Sequence, residues 1–174
     1  MPLGTSTQSK GKGRTTGKAK STKAQKQQDA IALLMADHDE VEALFKKFQK
    51  TKDGDSAKTD IVQKICKALT VHAEIEEEIF YPAARDALSE KGEDLLDEAE
   101  VEHASIKSLV EQLQDADPED EMYDAKVKVL CEYVNHHVKE EEGEMFPKVK
   151  KAKLDLEELG AELSERKMEL MDGQ

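Results

Sequence analysis

A chain of 174 residues suits one domain with a modest core. With 4% aromatic residues, no tryptophan and 37% charged residues, it has the composition of a helical protein rather than a β-rich one. The net charge of −13 argues against a nucleic-acid binder as a whole. No apolar run reaches the roughly 18 residues of a membrane span, and no apolar segment near the start resembles a secretion signal, so a cytoplasmic protein without membrane partners is expected.

Residues 1–28 hold Lys10, Lys12, Arg14, Lys18, Lys20, Lys23 and Lys26 and no acid, in a background of Gly, Ser, Thr and Gln. Such a segment cannot bury apolar surface, and the reading is a disordered, solvated basic tail. Removing its seven positive charges takes the net charge from −13 to −20 for the remainder. Contact with nucleic acid is left to this tail alone.

Helical periodicity starts at about residue 29. Ile31, Leu34, Met35, His38, Val41, Phe45 and Phe48 fall three or four apart, which puts a histidine on an apolar stripe. The stretch Asp53-Gly54-Asp55-Ser56 interrupts the pattern, with Asp55 or Ser56 as the N-cap of a second helix. That helix carries Ile61, Ile65, Leu69, His72, Glu76 and Ile79 on one stripe, up to Phe80 and a kink or end at Pro82. Lys91-Gly92 reads as the next break. A third helix follows with Leu95, Leu96, Ala99, His103, Ile106, Val110 and Leu113. Asp117-Pro118 reads as an N-cap with proline in the first helical position, so a fourth helix follows directly with Val127, Leu130, Val134, His137 and Glu141, before Phe146 and Pro147. A last segment from about Leu154 to Leu170, with Leu156, Leu159, Leu163 and Leu170, is expected to pack across the others in a structural role. Four segments joined by short loops describe an up-down-up-down antiparallel four-helix bundle. Cys66 and Cys131 allow a disulfide, soft metal ligands or core packing, and core packing is the reading for a cytoplasmic chain.

The polar residues on these stripes repeat. His38, His72 and Glu76 reappear as His103, His137 and Glu141, always 65 residues later, and Pro82 and Pro147 keep the same offset. HAEIEEEIFYP from His72 matches HVKEEEGEMFP from His137. A lone histidine on an apolar face is ordinarily a hydrogen-bonded core residue, but four in register, two of them followed by Glu at the fourth position, point to ligands converging on a metal. Side chains four apart leave one helix face about 5–6 Å from each other, so one ion can take both. The two glutamates, each with two oxygens, can bridge two ions. Imidazole with carboxylate favours iron, manganese or zinc over calcium or magnesium, and iron is the first choice. His136 breaks the register and points about 100° away from His137, toward the surface or an outer contact. Glu77, Glu78, Glu140, Glu142 and Glu144 read as a charge run on a solvated face.

In this order, His38, His72 with Glu76 and FYP, Glu102-His103, and His137 with Glu141 and MFP, the chain resembles the hemerythrin HHE cation-binding domain over about residues 29–150. The segment from Leu159-Gly160 to Leu170 is similar to an extra helix of many bacterial members. The resemblance implies a non-haem di-iron centre of two ions per chain, with His38, His72, His103 and His137 as terminal ligands and Glu76 and Glu141 as bridges. Three parts are expected: a tail over 1–28, the metal-binding bundle over 29–151, and an amphipathic helix over 152–174. Oxygen-carrying hemerythrins have a further histidine one turn before the third-helix histidine, where this chain has Ala99. Water, Glu100 or Tyr133 are the candidates to complete that side. The departure points away from reversible oxygen carriage, toward sensing or binding of oxygen or nitric oxide, iron handling, or peroxide chemistry.

Ferritin-like bundles are the rival metal fold and need Glu-x-x-His twice. Glu100 to His103 supplies one copy, but Val134 stands where the second needs Glu. A binder of small ligands is the leading expectation. A di-iron enzyme decomposing peroxide or another small oxidant, and a metal-free helical interaction module, are the alternatives.

Overall fold

The computed structural model describes residues 28–52 and 56–173. The basic tail and the N-cap assigned to Asp55 lie outside these residues.

Helix α1, Ala30–Lys50, starts where the Asp29 side chain accepts from the Ala32 amide at 2.8 Å, satisfying one of the free donors of the first turn. Its core face is Ile31, Leu34, His38, Val41, Phe45 and Phe48, joined by Leu33, while Met35 from the predicted stripe is exposed. Helix α2, Ser56–Ile75, does not end at its proline. It passes through a π-helical turn, Glu76–Phe80, into α3, Tyr81–Ala87. Pro82 has no N–H and its ring would strike the carbonyl four residues back, and the widened turn resolves this: the Tyr81 amide bonds to the Glu76 carbonyl five residues back. The same happens 65 residues on, where α5, Tyr123–Glu140, runs through a π turn at Glu141–Met145 into α6, Phe146–Val149, and the Phe146 amide bonds to the Glu141 carbonyl.

Two predicted boundaries move. The break assigned to Lys91-Gly92 falls at Leu88-Ser89, and α4, Glu90–Gln114, already includes Gly92. Leu88 lies against this glycine so closely that a Cβ there would stand 2.6 Å from its own Cβ. Asp117-Pro118 does not start the fourth helix, which begins at Tyr123. Asp117 and Asp120 instead accept from the amides two residues on, Glu119 at 2.9 Å and Met122 at 2.8 Å, and these local turns hold the chain out of the helix.

Helix α1 packs on α2, α2 on α4 and α4 on α5, while Glu142 in the π turn after α5 reaches back to His38 of α1. The four rods therefore close into a bundle in which α5 lies across from α2. Apolar residues form two clusters along its axis. One joins Ile31, Leu34, Ile75, Phe80, Tyr81, Leu96 and Phe146, and the other joins Phe45, Ile65, Leu69, Val110, Tyr123 and Leu130. Cys66 is buried in the second and Cys131 packs at its edge, both as free thiols, and burial pushes the Cys66 thiol up to about 11.

Helix α7, Leu156–Asp172, covers α1 and α2 and buries Leu159 and Leu163 in the first cluster. Gly160 makes this possible, since a Cβ there would meet the Gln28 carbonyl oxygen at 2.4 Å and the Ala30 nitrogen at 2.7 Å. Glycine to alanine in an exposed helix stabilises by ~1 kcal/mol. Here the sign reverses. Gly160→Ala is expected to destabilise by about 1–3 kcal/mol in denaturant unfolding, because the obstacle is backbone and cannot rotate away. A variant as stable as the parent would contradict this close approach.

Candidate metal centre

Between the two apolar clusters lies one polar layer. Each rod supplies its residues there because histidine or glutamate interrupts the apolar stripe at that height: His38 from α1, His72 and Glu76 from the second rod, His103 from α4, His137 and Glu141 from the fourth. All six are buried, with Glu76 at 0% and Glu141 at 1% exposure. Carboxylates this deep are unfavourable unless paired or bound to a cation.

The six side chains meet in two groups. His38 Nε2 and His72 Nε2 are 3.1 Å apart, as are His103 Nε2 and His137 Nε2. Glu76 Oε2 lies 3.2 Å from His72 and 3.3 Å from His103, and Glu141 Oε2 lies 3.2 Å from His38 and 3.4 Å from His137. Each glutamate thus touches one histidine of each pair. Ligand atoms ~2.1 Å from an ion, at right or tetrahedral angles to one another, are themselves about 3.0–3.4 Å apart. The observed spacings match that geometry.

The outer nitrogens explain why these are ligand faces. His38 Nδ1 is 2.9 Å from Glu142, His103 Nδ1 3.0 Å from Glu77, and His137 Nδ1 2.8 Å from Glu102, while Asp37 stands 3.5 Å from His72 Nδ1. A carboxylate holds the proton on Nδ1 and turns the Nε2 lone pair inward. The His38 and His72 Nε2 atoms, 3.1 Å apart, share a proton when no ion is bound, and a cation between them would take its place. Glu76 Oε1, Glu141 Oε2 and His72 Nδ1 are also buried without an aligned hydrogen bond. The donor chemistry therefore suits transition-metal cations.

These outer carboxylates repeat at the same offset, Asp37 with Glu102 and Glu77 with Glu142. The charge-run reading of Glu77 and Glu142 is thus corrected: their carboxylates face the site, and Glu77 is also held by Lys107 at 2.6 Å. Glu78 and Glu144 do lie at the surface, paired with Arg166 and Lys148. His136 is 61% exposed, 3.3 Å from Glu102 and 3.4 Å from Glu140.

The symmetry breaks at one position. Tyr81 and Phe146 occupy equivalent places. The Tyr81 hydroxyl donates to Glu141 Oε1 at 3.0 Å and lies 3.2 Å from His103 Nε2, whereas the Phe146 ring stacks on His38 with centroids 5.9 Å apart. Neither Glu100 nor Tyr133 completes the side opposite Ala99, because Glu100 is at the surface on Arg85 at 2.9 Å and Tyr133 is 48% exposed. Tyr81 stands there instead. The residue was visible in FYP against MFP but carried no partner in sequence.

Protonation tells the same story. Burial opposes charge on His38, yet the Glu141 carboxylate holds it up at about 9, while burial takes His72 down to about 4. Burial and the neighbouring Glu141 charge raise Glu76 well above the carboxylate range. Burial acts the same way on Glu141, but His137 and His38 outweigh it and hold it at about 2. One imidazole and one carboxyl thus keep protons that a cation would displace.

Comparison with known proteins decides the family. The chain matches the hemerythrin HHE cation binding domain family over residues 29–149. It belongs to that family. A hemerythrin HHE cation binding domain-containing protein from Mycobacterium kansasii has the same fold, with a TM-score of 0.72 at 21% identity over 84% of this chain and 89% of that one. A protein of Nostoc sp. strain PCC 7120 named DNA nickase is 33% identical over 123 residues, which is 71% of this chain. The hemerythrin-like chain spans about a third (33%) of that relative's length. As a family member it carries a cation-binding domain, and its histidine and glutamate clusters are the groups able to hold the metal. Among the described residues, no helix is long and apolar enough to cross a membrane.

Proposed function

We propose that this is a cytoplasmic non-haem di-iron protein that binds or senses a small ligand such as oxygen or nitric oxide, or handles iron. One observation carries the reading: each buried glutamate touches one histidine of each pair, which is how a carboxylate shared between two ions must stand. His38 and His72 would hold one ion, His103 and His137 the other, with Glu76 and Glu141 across both. Bound iron would supply Lewis acidity and electron exchange toward the ligand. The protein's own share is to orient His38, His103 and His137 through Glu142, Glu77 and Glu102, with Asp37 standing behind His72, and to keep the site small and dry. A cavity of about 20 Å³ beside the histidines, walled by Val41, Leu69, Ile106, Val134 and Val138, has room for a group about the size of one water. That favours a diatomic ligand over any larger substrate.

A second reading, decomposition of peroxide or another small oxidant, draws on Tyr81, whose buried hydroxyl can hold or pass a proton on the His103 side. Elemental analysis of protein grown with iron, together with optical spectra before and after air exposure, tests the first reading. About two irons per chain with oxo-to-iron charge-transfer bands are expected. Fully folded protein that takes up no metal overturns it. Sustained peroxide turnover, weakened in Tyr81→Phe, would favour the enzyme, and a stable adduct the binder.

A further inference from the structure

The two sides of the bundle are covered differently. On the α1–α2 side, α7 lies over the helices and Lys167 pairs with Asp37, the carboxylate behind His72. On the α4–α5 side the equivalent carboxylate is Glu102, and no cation of the protein reaches it among the described residues. His136 and Glu140 stand beside it, where the register places Val71 and Ile75 in the other half. These two residues are therefore not demanded by the repeat or by packing.

The geometry is that of ligands. His136 and Glu140 are four apart on α5 and leave the same face. His136 Nε2 lies 3.3 Å from Glu102 Oε1 and 3.4 Å from Glu140 Oε1, so one nitrogen and two oxygens converge from two helices. The other Glu102 oxygen is 2.8 Å from His137 Nδ1. Two carboxylates flank the imidazole, with no lysine or arginine paired to either glutamate among the described residues. The strongly acidic body adds to the attraction of cations.

We propose that Glu102, His136 and Glu140 form a solvent-facing site for a single divalent first-row transition ion, separate from the buried centre and joined to it through the Glu102 carboxylate. Imidazole with two carboxylates suits manganese, iron, cobalt or zinc, with water filling the remaining positions. Calcium and magnesium prefer all-oxygen sites.

Tag-free full-length protein, loaded with iron and freed of loose metal, would be titrated with Co²⁺ by calorimetry. The parent is expected to take one Co²⁺ more per chain than His136→Ala. Glu140→Gln should weaken that step tenfold or more, with iron content unchanged in both variants. His136 is exposed, so the variants should keep the parent's thermal midpoint. Identical isotherms in parent and variants, or no Co²⁺ uptake by the parent, would overturn the proposal. The ion is read as a difference between parent and variant, so it holds whether or not the buried centre carries two irons.

Discussion

Glu141→Ala is expected to empty both metal positions, not one. Its Oε2 lies 3.2 Å from His38 and 3.4 Å from His137, so in the proposed two-ion centre one substitution would remove a ligand from each ion. It also removes the acceptor of the Tyr81 hydroxyl and the charge that keeps His38 protonated in the metal-free state. Glu76→Ala should behave alike, because Glu76 joins His72 and His103. Glu142→Gln is the contrasting variant: it changes only the partner of His38 Nδ1, and outer partners of this kind are worth about 10–100-fold in affinity. Elemental analysis after dialysis against a weak chelator separates the two patterns. A Glu141→Ala protein that keeps one ion at the parent's affinity would show that the glutamate serves one side only.

Metal removal should lower the thermal midpoint by roughly 10–15 °C. A ligand present at about a thousand times its dissociation constant stabilises by ~4 kcal/mol, and a domain of this size moves about 2–4 °C per kcal/mol. What is lost is specific: six buried polar side chains keep their place between two apolar clusters with no cation to compensate them. The pH dependence of the metal-free protein has a definite sign at each end. His38, raised from 6.5 to about 9, contributes stability fully below pH 6.5 and loses it as pH rises through 9. His72, lowered from 6.5 to about 4, favours the folded state only when neutral, so stability falls on acidification from pH 6.5 to 4. Calorimetric scans of the metal-loaded and chelated protein across this range check both effects. Equal midpoints would mean that the polar layer is self-sufficient.

The helices and the six converging side chains were legible because histidine is scarce. With only five in the chain, four in one register carry information. The acids that orient them keep the same register, yet among 39 acidic residues, where a repeated Glu or Asp is commonplace, Asp37 passes unnoticed and Glu102 enters only as the neighbour of His103, without its role on His137. Lys167 had no local signal, since its partner lies 130 residues away. The start of the fourth helix was misplaced because Asp-Pro can open a helix or a turn with the same side-chain oxygen. A proline in a helix announces a disturbance, and whether the helix ends, bends or widens is settled by what the residues beyond it can bury. Here Phe80, Tyr81 and Ala84 had a cluster to join, so the rod continued.

The widened turns at Glu76–Phe80 and Glu141–Met145 act as phase correctors. Each adds one residue to a turn, which resets the angular position of everything beyond it by about 100°. The glutamate at the start of each turn and the aromatic ring just after it can then both face the axis. Losing a single residue within either stretch would keep composition, charge and apolar content nearly intact, yet it would swing Tyr81 or Phe146 out of the interior. Length in these two stretches is therefore as tightly specified as the identity of the histidines.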